Sequence, residues 1–330
     1  VASSAVKLEK VRYGIAEWYG RLVPTLTHDE IKSFAAIGSG KLSNLPCPFR
    51  QAASPGAKCN KKGGVCTLRR HALQDDGGVE LVGPAVTVCP SRFWAGNEVF
   101  RWIGETVLGS KEPTLVKEVP FLSSVVEEDS EEIGDAVGRI DSVLVDPADS
   151  SLWCALELQA VYFSGPSMAS HIEQYSATQQ APVFPDKVRR PDYRSSGPKR
   201  LMPQLQIKVP TLRRWGKKMA VLVDQPFFSS LGKLTRVPHL SNCDIVWFVV
   251  DYSPDDGSII LSERVFTTLE SSVEALTAGV PLSLEVFEAQ VNTFLTGSDK
   301  RSLAKVVRLS APTPPIDGGS HVGGIELPDE

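Results

Sequence analysis

Two strand-like runs joined by a turn constrain this chain most. Val137-Gly-Arg-Ile-Asp-Ser-Val-Leu-Val145 and Leu152 through Phe163 flank Asp146-Pro-Ala-Asp-Ser-Ser151, a string of turn-forming residues, which predicts a β-hairpin with two long arms. In the second arm, alternation sets Leu152, Cys154, Leu156 and Leu158 on one face and leaves Glu157 and Gln159 together on the other. In the first arm Asp141 interrupts the apolar set Ile140, Val143, Leu144 and Val145, and pairing of the arms brings it beside Glu157. Two carboxylates on neighbouring strands repel unless a cation or proton lies between them, and two oxygen ligands plus waters is a usual way to hold Mg²⁺.

Spacing alone does not outweigh the alternative of two acids on a solvent face. What favours a site is the pattern Asp-(x15)-Glu-x-Gln on consecutive strands, which matches the nuclease layout Asp…(Asp/Glu)-x-Lys with glutamine at the lysine position.

Four of the six cysteines cluster as Cys47-x11-Cys59-x6-Cys66-x22-Cys89, beside turn-forming residues in Cys47-Pro-Phe49, Gly63-Gly-Val-Cys66 and Cys89-Pro90. Six cysteines in 330 residues are too sparse for a disulfide scaffold, so the cluster reads as ligands of a structural Zn²⁺ or iron site, against the alternative of unrelated buried thiols. Cys154 and Cys243 lie in apolar strand contexts and read as core residues. No stretch approaches the roughly 20 apolar residues of a membrane helix. The first residues lack a secretory pattern, so a cytoplasmic protein without membrane contact is the expectation.

The net charge of −4 argues against a polyanionic partner only as an average. Residues 187–218 carry eleven basic residues and one acid, and residues 58–70 carry five basic residues and none. Lys61, Lys62, Arg69, Arg70, Arg189, Arg190, Arg213 and Arg214 are therefore the candidates to meet DNA phosphates or bases, against the alternative of solvated basic loops.

The pattern divides the chain into a helical N-terminal segment (1–45, with helices over Val11–Leu22 and from Thr27), a loop-built four-cysteine knot (46–92), a core (93–310) and a flexible tail (311–330). Within the core it predicts a helix over Phe93–Val107, a short edge strand at Val116–Phe121, an acidic loop (Glu127, Glu128, Asp129, Glu131, Glu132, Asp135), a helix over Met168–Thr178, a buried strand at 245–252, and a last helix or strand–helix pair over 279–295. His171, a lone histidine beside an apolar residue, is assigned no catalytic role.

Ala16-Glu-Trp-Tyr-Gly20, Cys47-Pro-Phe, Gly64-Val-Cys66, Cys89-Pro-Ser-Arg92, Ile140-Asp141, Leu156-Glu-Leu-Gln159 and Phe163-Ser-Gly165 occur in the order seen in the NotI restriction endonuclease family, which the chain resembles over 12–165 and more weakly to about 295. The resemblance implies an α/β fold: a PD-(D/E)xK mixed sheet flanked by helices, with an inserted four-cysteine metal-binding knot. It also implies a type II restriction endonuclease, a homodimer cutting a palindromic GC-rich double-stranded DNA site with Mg²⁺. Carried over by motif, Asp141 and Glu157 are metal ligands, Gln159 takes the lysine position, Glu118 is the carboxylate on the preceding strand, and the four cysteines bind iron or zinc. The rival expectations are a non-catalytic metal-dependent DNA-binding regulator and a structural metal protein whose basic loop binds RNA or an acidic protein.

Overall fold

The computed structural model describes residues 10–43, 45–52, 54–123, 136–178, 180–277 and 282–297. The six acids of the loop before Asp141 and the 311–330 tail lie outside the described residues. Two units separate, residues 1–279 and residues 280–330.

The N-terminal segment is not helical throughout. Residues expected as a helix form strands β1 (Val11–Trp18) and β2 (Arg21–Leu22), and helix α1 (His28–Gly38) follows. Val, Ile, Tyr and Trp in β1 suit a pleated surface, and antiparallel pairing with β3 (Val65–Leu73) overrides the weak helical spacing. α1 starts as the sequence predicts: Thr27 Oγ1 accepts from Glu30 N at 3.3 Å while Thr27 N donates to Glu30 Oε2 at 2.9 Å, a capping box.

The cysteine region is not purely loop-built either. β3 and β4 (Val79–Thr87) form a hairpin, and with β1 and β2 they make an antiparallel sheet in the order β2-β1-β3-β4. Ile31, Phe34 and Ala35 of α1 recur at i, i+3, i+4 and pack with Trp18, Leu68, Cys47 and Cys59 into one core.

Along the rest of this unit come α2 (Glu98–Val107), β5 (Thr114–Ser123), β6 (Ala136–Asp146), β7 (Asp149–Leu158), β8 (Tyr162–Ser164), α3 (Ala169–Thr178), β9 (Arg190–Asp192), α4 (Tyr193–Ser196), α5 (Met202–Arg214), β10 (Met219–Asp224), α6 (Gln225–Ser229), β11 (Ile245–Tyr252), β12 (Ile259–Thr267) and α7 (Leu269–Thr277). Six of these strands make the larger sheet, in the order β12-β11-β10-β7-β6-β5, while β8 and β9 form a separate ribbon. β7, β10 and β11 are parallel and the remaining pairs antiparallel, so the sheet is mixed. The predicted hairpin is β6–β7, and β5, interrupted by Pro120, is an edge strand.

Period 2 assigns the two faces. Ala220, Leu222, Val246, Phe248, Leu144, Cys154 and Leu156 pack with Phe93, Val99, Phe100 and Ile103 around α2. Met219, Val221, Val223, Trp247, Val143 and Ala155 pack on the other side against Leu205, Val209 and Leu212 of α5, with Phe227 and Leu276. The basic stretch is thus largely regular: β9, α4, a π-helical turn over Gly197–Leu201, and α5 seated on the sheet. The second unit contributes α8 (Leu284–Leu295), capped by Ser283.

Candidate active site

The acids predicted from the hairpin come to one level of the larger sheet. β6 and β7 pair Ser142 with Leu156 and Val143 with Ala155, and Asp141 and Glu157 are the next residues beyond this ladder, near enough for the Asp141 charge to act on Glu157. β5 and β6 pair Lys117 with Ser142 and Val119 with Ile140, which brackets Glu118 opposite Asp141. Three carboxylates thus lie on the neighbouring strands β5, β6 and β7 beside these rungs: Glu118 and Asp141 are exposed and Glu157 is buried.

Alternation turns Glu157 to the same side as Ala155, the α5 side of the sheet. There Lys208 Nζ donates to Glu157 Oε1, and to Gln204 Oε1 at 2.8 Å one helical turn earlier. Burial pushes the Glu157 carboxyl above the usual carboxylate range; the Lys208 ammonium pulls it back, and the Asp141 charge adds to the push. Glu157 is therefore no solvent-face acid.

Sequence reasoning missed Lys208, which it counted within the basic stretch. A signal was present: Leu201, Leu205, Lys208, Val209 and Leu212 all fall on the apolar stripe of the helical run, and a lysine there is out of place unless it has a buried partner.

Gln159 follows β7, where its backbone N–H donates to Leu222 O at 3.0 Å. Its side-chain amide donates to the adjacent Ala160 carbonyl at 2.5 Å. Glu118 has φ +55°, a left-handed conformation that costs a non-glycine residue about 1 kcal/mol or more. Its carboxylate lies 3.9 Å from Arg139.

The four cysteines are brought together as two adjacent pairs. Cys47 N donates to Ala57 O at 2.8 Å and Cys59 N to Leu45 O at 2.7 Å across a short bridge, while Val88 N and Cys89 N both donate to Cys66 O. All four are buried, and burial raises the Cys59 and Cys66 thiols, with their cysteine neighbours adding to the rise. Among the described residues no group of three or more His, Cys, Asp and Glu side chains is arranged to hold a metal ion, in this cluster or in the acidic row.

The other motif residues fasten this region. Arg92 Nε donates to buried Glu17 at 2.6 Å, and its guanidinium lies 4.8 Å from the Phe49 ring centre and 4.6 Å from that of Tyr252. Trp18 Nε1 donates to Gly63 O at 2.7 Å, and a Cβ on Gly64 would lie 2.1 Å from the Tyr19 ring.

The basic candidates divide. Arg189 is buried, donating to Pro166 O (2.9 Å), Ser167 O (2.6 Å) and Ser170 Oγ (2.9 Å), so its guanidinium is occupied within the fold. Arg213 is paired with Asp244 at 2.6 Å and Glu270 at 3.1 Å. Lys61 donates to Val88 O and Arg69 to Gly83 O, so both are tied to backbone. Lys62, Arg70, Arg190 and Arg214 are exposed. His171 is buried and its Nε2 meets Val183 O at 3.1 Å.

A large mixed sheet with helices on both faces fits a protein of the restriction-endonuclease class. Residues 34–261 match the sequence model of the family described as restriction endonuclease NotI, more than half of the chain, and the chain belongs to that family. No curated protein sequence matches it. Family membership carries site-specific deoxyribonuclease activity on double-stranded DNA as the class of reaction, and among the described residues no helix is long and apolar enough to cross a membrane.

Proposed function

We propose that this chain is a type II restriction endonuclease that hydrolyses phosphodiester bonds at a specific GC-rich palindrome, using a PD-(D/E)xK-type site made of Asp141, Glu157 and Gln159, with Glu118 at its edge. The observation that carries the reading is the row Glu118–Asp141–Glu157 at one level of three neighbouring strands, its inner member held by Lys208. The oxygen donors suit Mg²⁺, for which one or two carboxylates plus waters suffice. Bound at Asp141 and Glu157, Mg²⁺ would supply Lewis acidity at the scissile phosphate and a more acidic water.

The chain's own residues orient that chemistry. A water oxygen adds to phosphorus and gives up a proton, one P–O ester bond breaks, and the leaving oxygen takes up a proton in its place. Gln159 is neutral and half-buried, so its part is to orient water or the strand rather than to supply charge. Exposed Lys62, Arg70, Arg190 and Arg214 are the residues left to meet phosphates. Cutting both strands of a palindrome calls for two such sites related by a twofold axis, hence a homodimer.

For the cysteines we propose a structural iron or zinc ion. Four buried thiols drawn into neighbouring pairs are a donor set suited to either, and a closed thiolate set has no open position for chemistry. Elemental analysis of purified protein is expected to give about one metal atom per chain; less than about half an atom would remove this part of the reading.

The main test is incubation with several genomic DNAs and Mg²⁺. Discrete fragments are expected from the wild type and none from Glu157→Ala, which should still shift DNA in a gel. Binding by the wild type without cleavage would instead make this a DNA-binding regulator, and Mg²⁺-dependent cutting by Glu157→Ala would sink the assignment of the site.

A further inference from the structure

A nuclease site of the Asp…Glu-x-Lys layout draws its positive charge from the strand, two residues after the glutamate. Here that position is Gln159, whose amide is engaged with the neighbouring Ala160 carbonyl. It carries no charge, and its side-chain hydrogen bond goes to Ala160 rather than to Glu157. The cation at Glu157 comes from a different element: Lys208, buried on α5, whose ammonium touches the carboxylate directly. Its stem lies in the apolar stripe with Leu205, Val209 and Leu212, so the side chain is held by packing as well as by its partners.

We propose that Lys208 is the positioning cation of this site, an ammonium delivered from the helix that replaces the lysine missing from β7. The proposal rests on the reading of Asp141 and Glu157 as the nuclease centre. Three features support it. Lys208 is on the side of the sheet to which period 2 turns Glu157. Gln204, at i−4, accepts a second hydrogen bond and fixes the ammonium's direction. An ammonium has three donors, and the bonds to Glu157 and Gln204 use two, leaving one for a water or phosphate oxygen.

Lys208 also sets the orientation of the carboxylate. Holding Oε1 from the helix side fixes the Glu157 side chain, so that its second oxygen is the one free to serve the centre beside Asp141. In a site whose strand offers only a neutral amide, this ammonium is the one described cation bonded to the acidic row from inside the fold.

The test moves the charge back to the strand. Cleavage of a genomic DNA that the wild type cuts is measured for Lys208→Met, Gln159→Lys and the double variant Q159K/K208M, beside thermal unfolding and Mn²⁺ binding by calorimetry without DNA. Lys208→Met is expected to cut at least 100-fold more slowly, and Q159K/K208M to regain at least tenfold of that loss. Mn²⁺ is expected to bind K208M several-fold more tightly, because a competing cation has left Glu157. A purely structural lysine on α5 would not be rescued by a charge placed on the strand.

Cleavage by K208M within about threefold of wild type, or no recovery in Q159K/K208M, overturns the proposal. If K208M does not fold, Q159K/K208M is compared with Q159K alone. Equal rates then support relocation of the charge, and a 100-fold deficit in the double variant overturns it. Failure of the wild type to cut any DNA would instead strike the nuclease reading itself, and is thereby distinguished.

Discussion

Two buried acid–base pairs, Glu17–Arg92 and Glu157–Lys208, are built to opposite ends. In the first, burial raises the Glu17 carboxyl and Arg92 answers with a hydrogen bond, a second bond to Gly257 O, and two aromatic rings stacked on its guanidinium. The planar group is enclosed on all sides and joins β1, the cysteine loops and the end of β11. In the second pair a compact ammonium meets a carboxylate that has another acid, Asp141, as its exposed neighbour. Arginine closes a site; lysine beside a partly open acidic row leaves an edge where a metal or phosphate can enter. Breaking each pair therefore damages a different property.

The largest effect is expected at Glu157. Glu157→Gln keeps the volume and an acceptor for Lys208 but removes the charge proposed to hold the metal, and cleavage per folded molecule should fall on the order of 10³-fold or more, while the Lys208 ammonium left without its counter-charge lowers the unfolding temperature as well. Next comes Arg92→Met, which strands the Glu17 carboxylate in the interior. Breaking a buried pair from one side costs about 3–5 kcal/mol, a fall in unfolding temperature on the order of 10 °C. Cleavage per folded molecule should be unchanged, and the double variant E17Q/R92M should be less destabilised than Arg92→Met. If Arg92→Met instead abolished cleavage in folded protein, the division between a locking pair and a working pair would collapse.

A third, smaller effect tests the interior by pH. His71 and His171 face each other with ring centres 5.7 Å apart, and burial lowers both, His171 to about 3. The unfolded chain, with histidines near 6.5, binds more protons below that pH than the folded one. Their stabilising contribution is thus complete above pH 6.5 and declines as the pH falls, by up to about 1.4 kcal/mol per pH unit for each ring. Asp224, raised to about 6 by full burial, acts in the opposite sense, since its stabilising contribution is lost as pH rises through that value. Urea unfolding at several pH values should show a net loss toward acid that flattens in His171→Gln.

How far the sequence could reveal this depends on what each residue answers to. The β6–β7 hairpin, the α1 cap and the buried β11 were legible because turn chemistry, a capping box and an apolar run are local. β1 was not, because its pairing with β3, more than 50 residues away, outweighs a spacing that suits a helix. Asp141 and Glu157 could be placed together since a hairpin fixes its own register, whereas Lys208 reaches Glu157 across 51 residues and through a helix–sheet contact. The motif residues Glu17, Trp18, Gly64 and Arg92 were recognisable as a pattern, but their part in fastening the cysteine loops emerges only from their contacts.

The smallest effect extends the comparison to a half-exposed pair. Arg213 meets Asp244 and Glu270 with 48% of its side chain open to solvent, and Asp244 also accepts from Leu269 N at 3.0 Å. Removing the arginine leaves Asp244 hydrated and still bonded, so Arg213→Gln should cost no more than about 1 kcal/mol. Its charge is already offset by two acids, and the salt dependence of DNA binding should not change. Arg190 and Arg214 are exposed without an acidic partner among the described residues, and replacing either by Gln should lower the slope of log affinity against log salt by about one if it meets a phosphate. Equal slopes for Arg213→Gln, Arg190→Gln and Arg214→Gln would mean that pairing within the fold does not decide which of the clustered cations reach DNA. A lower slope only for the unpaired two would show that the charge counted in the sequence must first be discounted for the acids the fold sets against it.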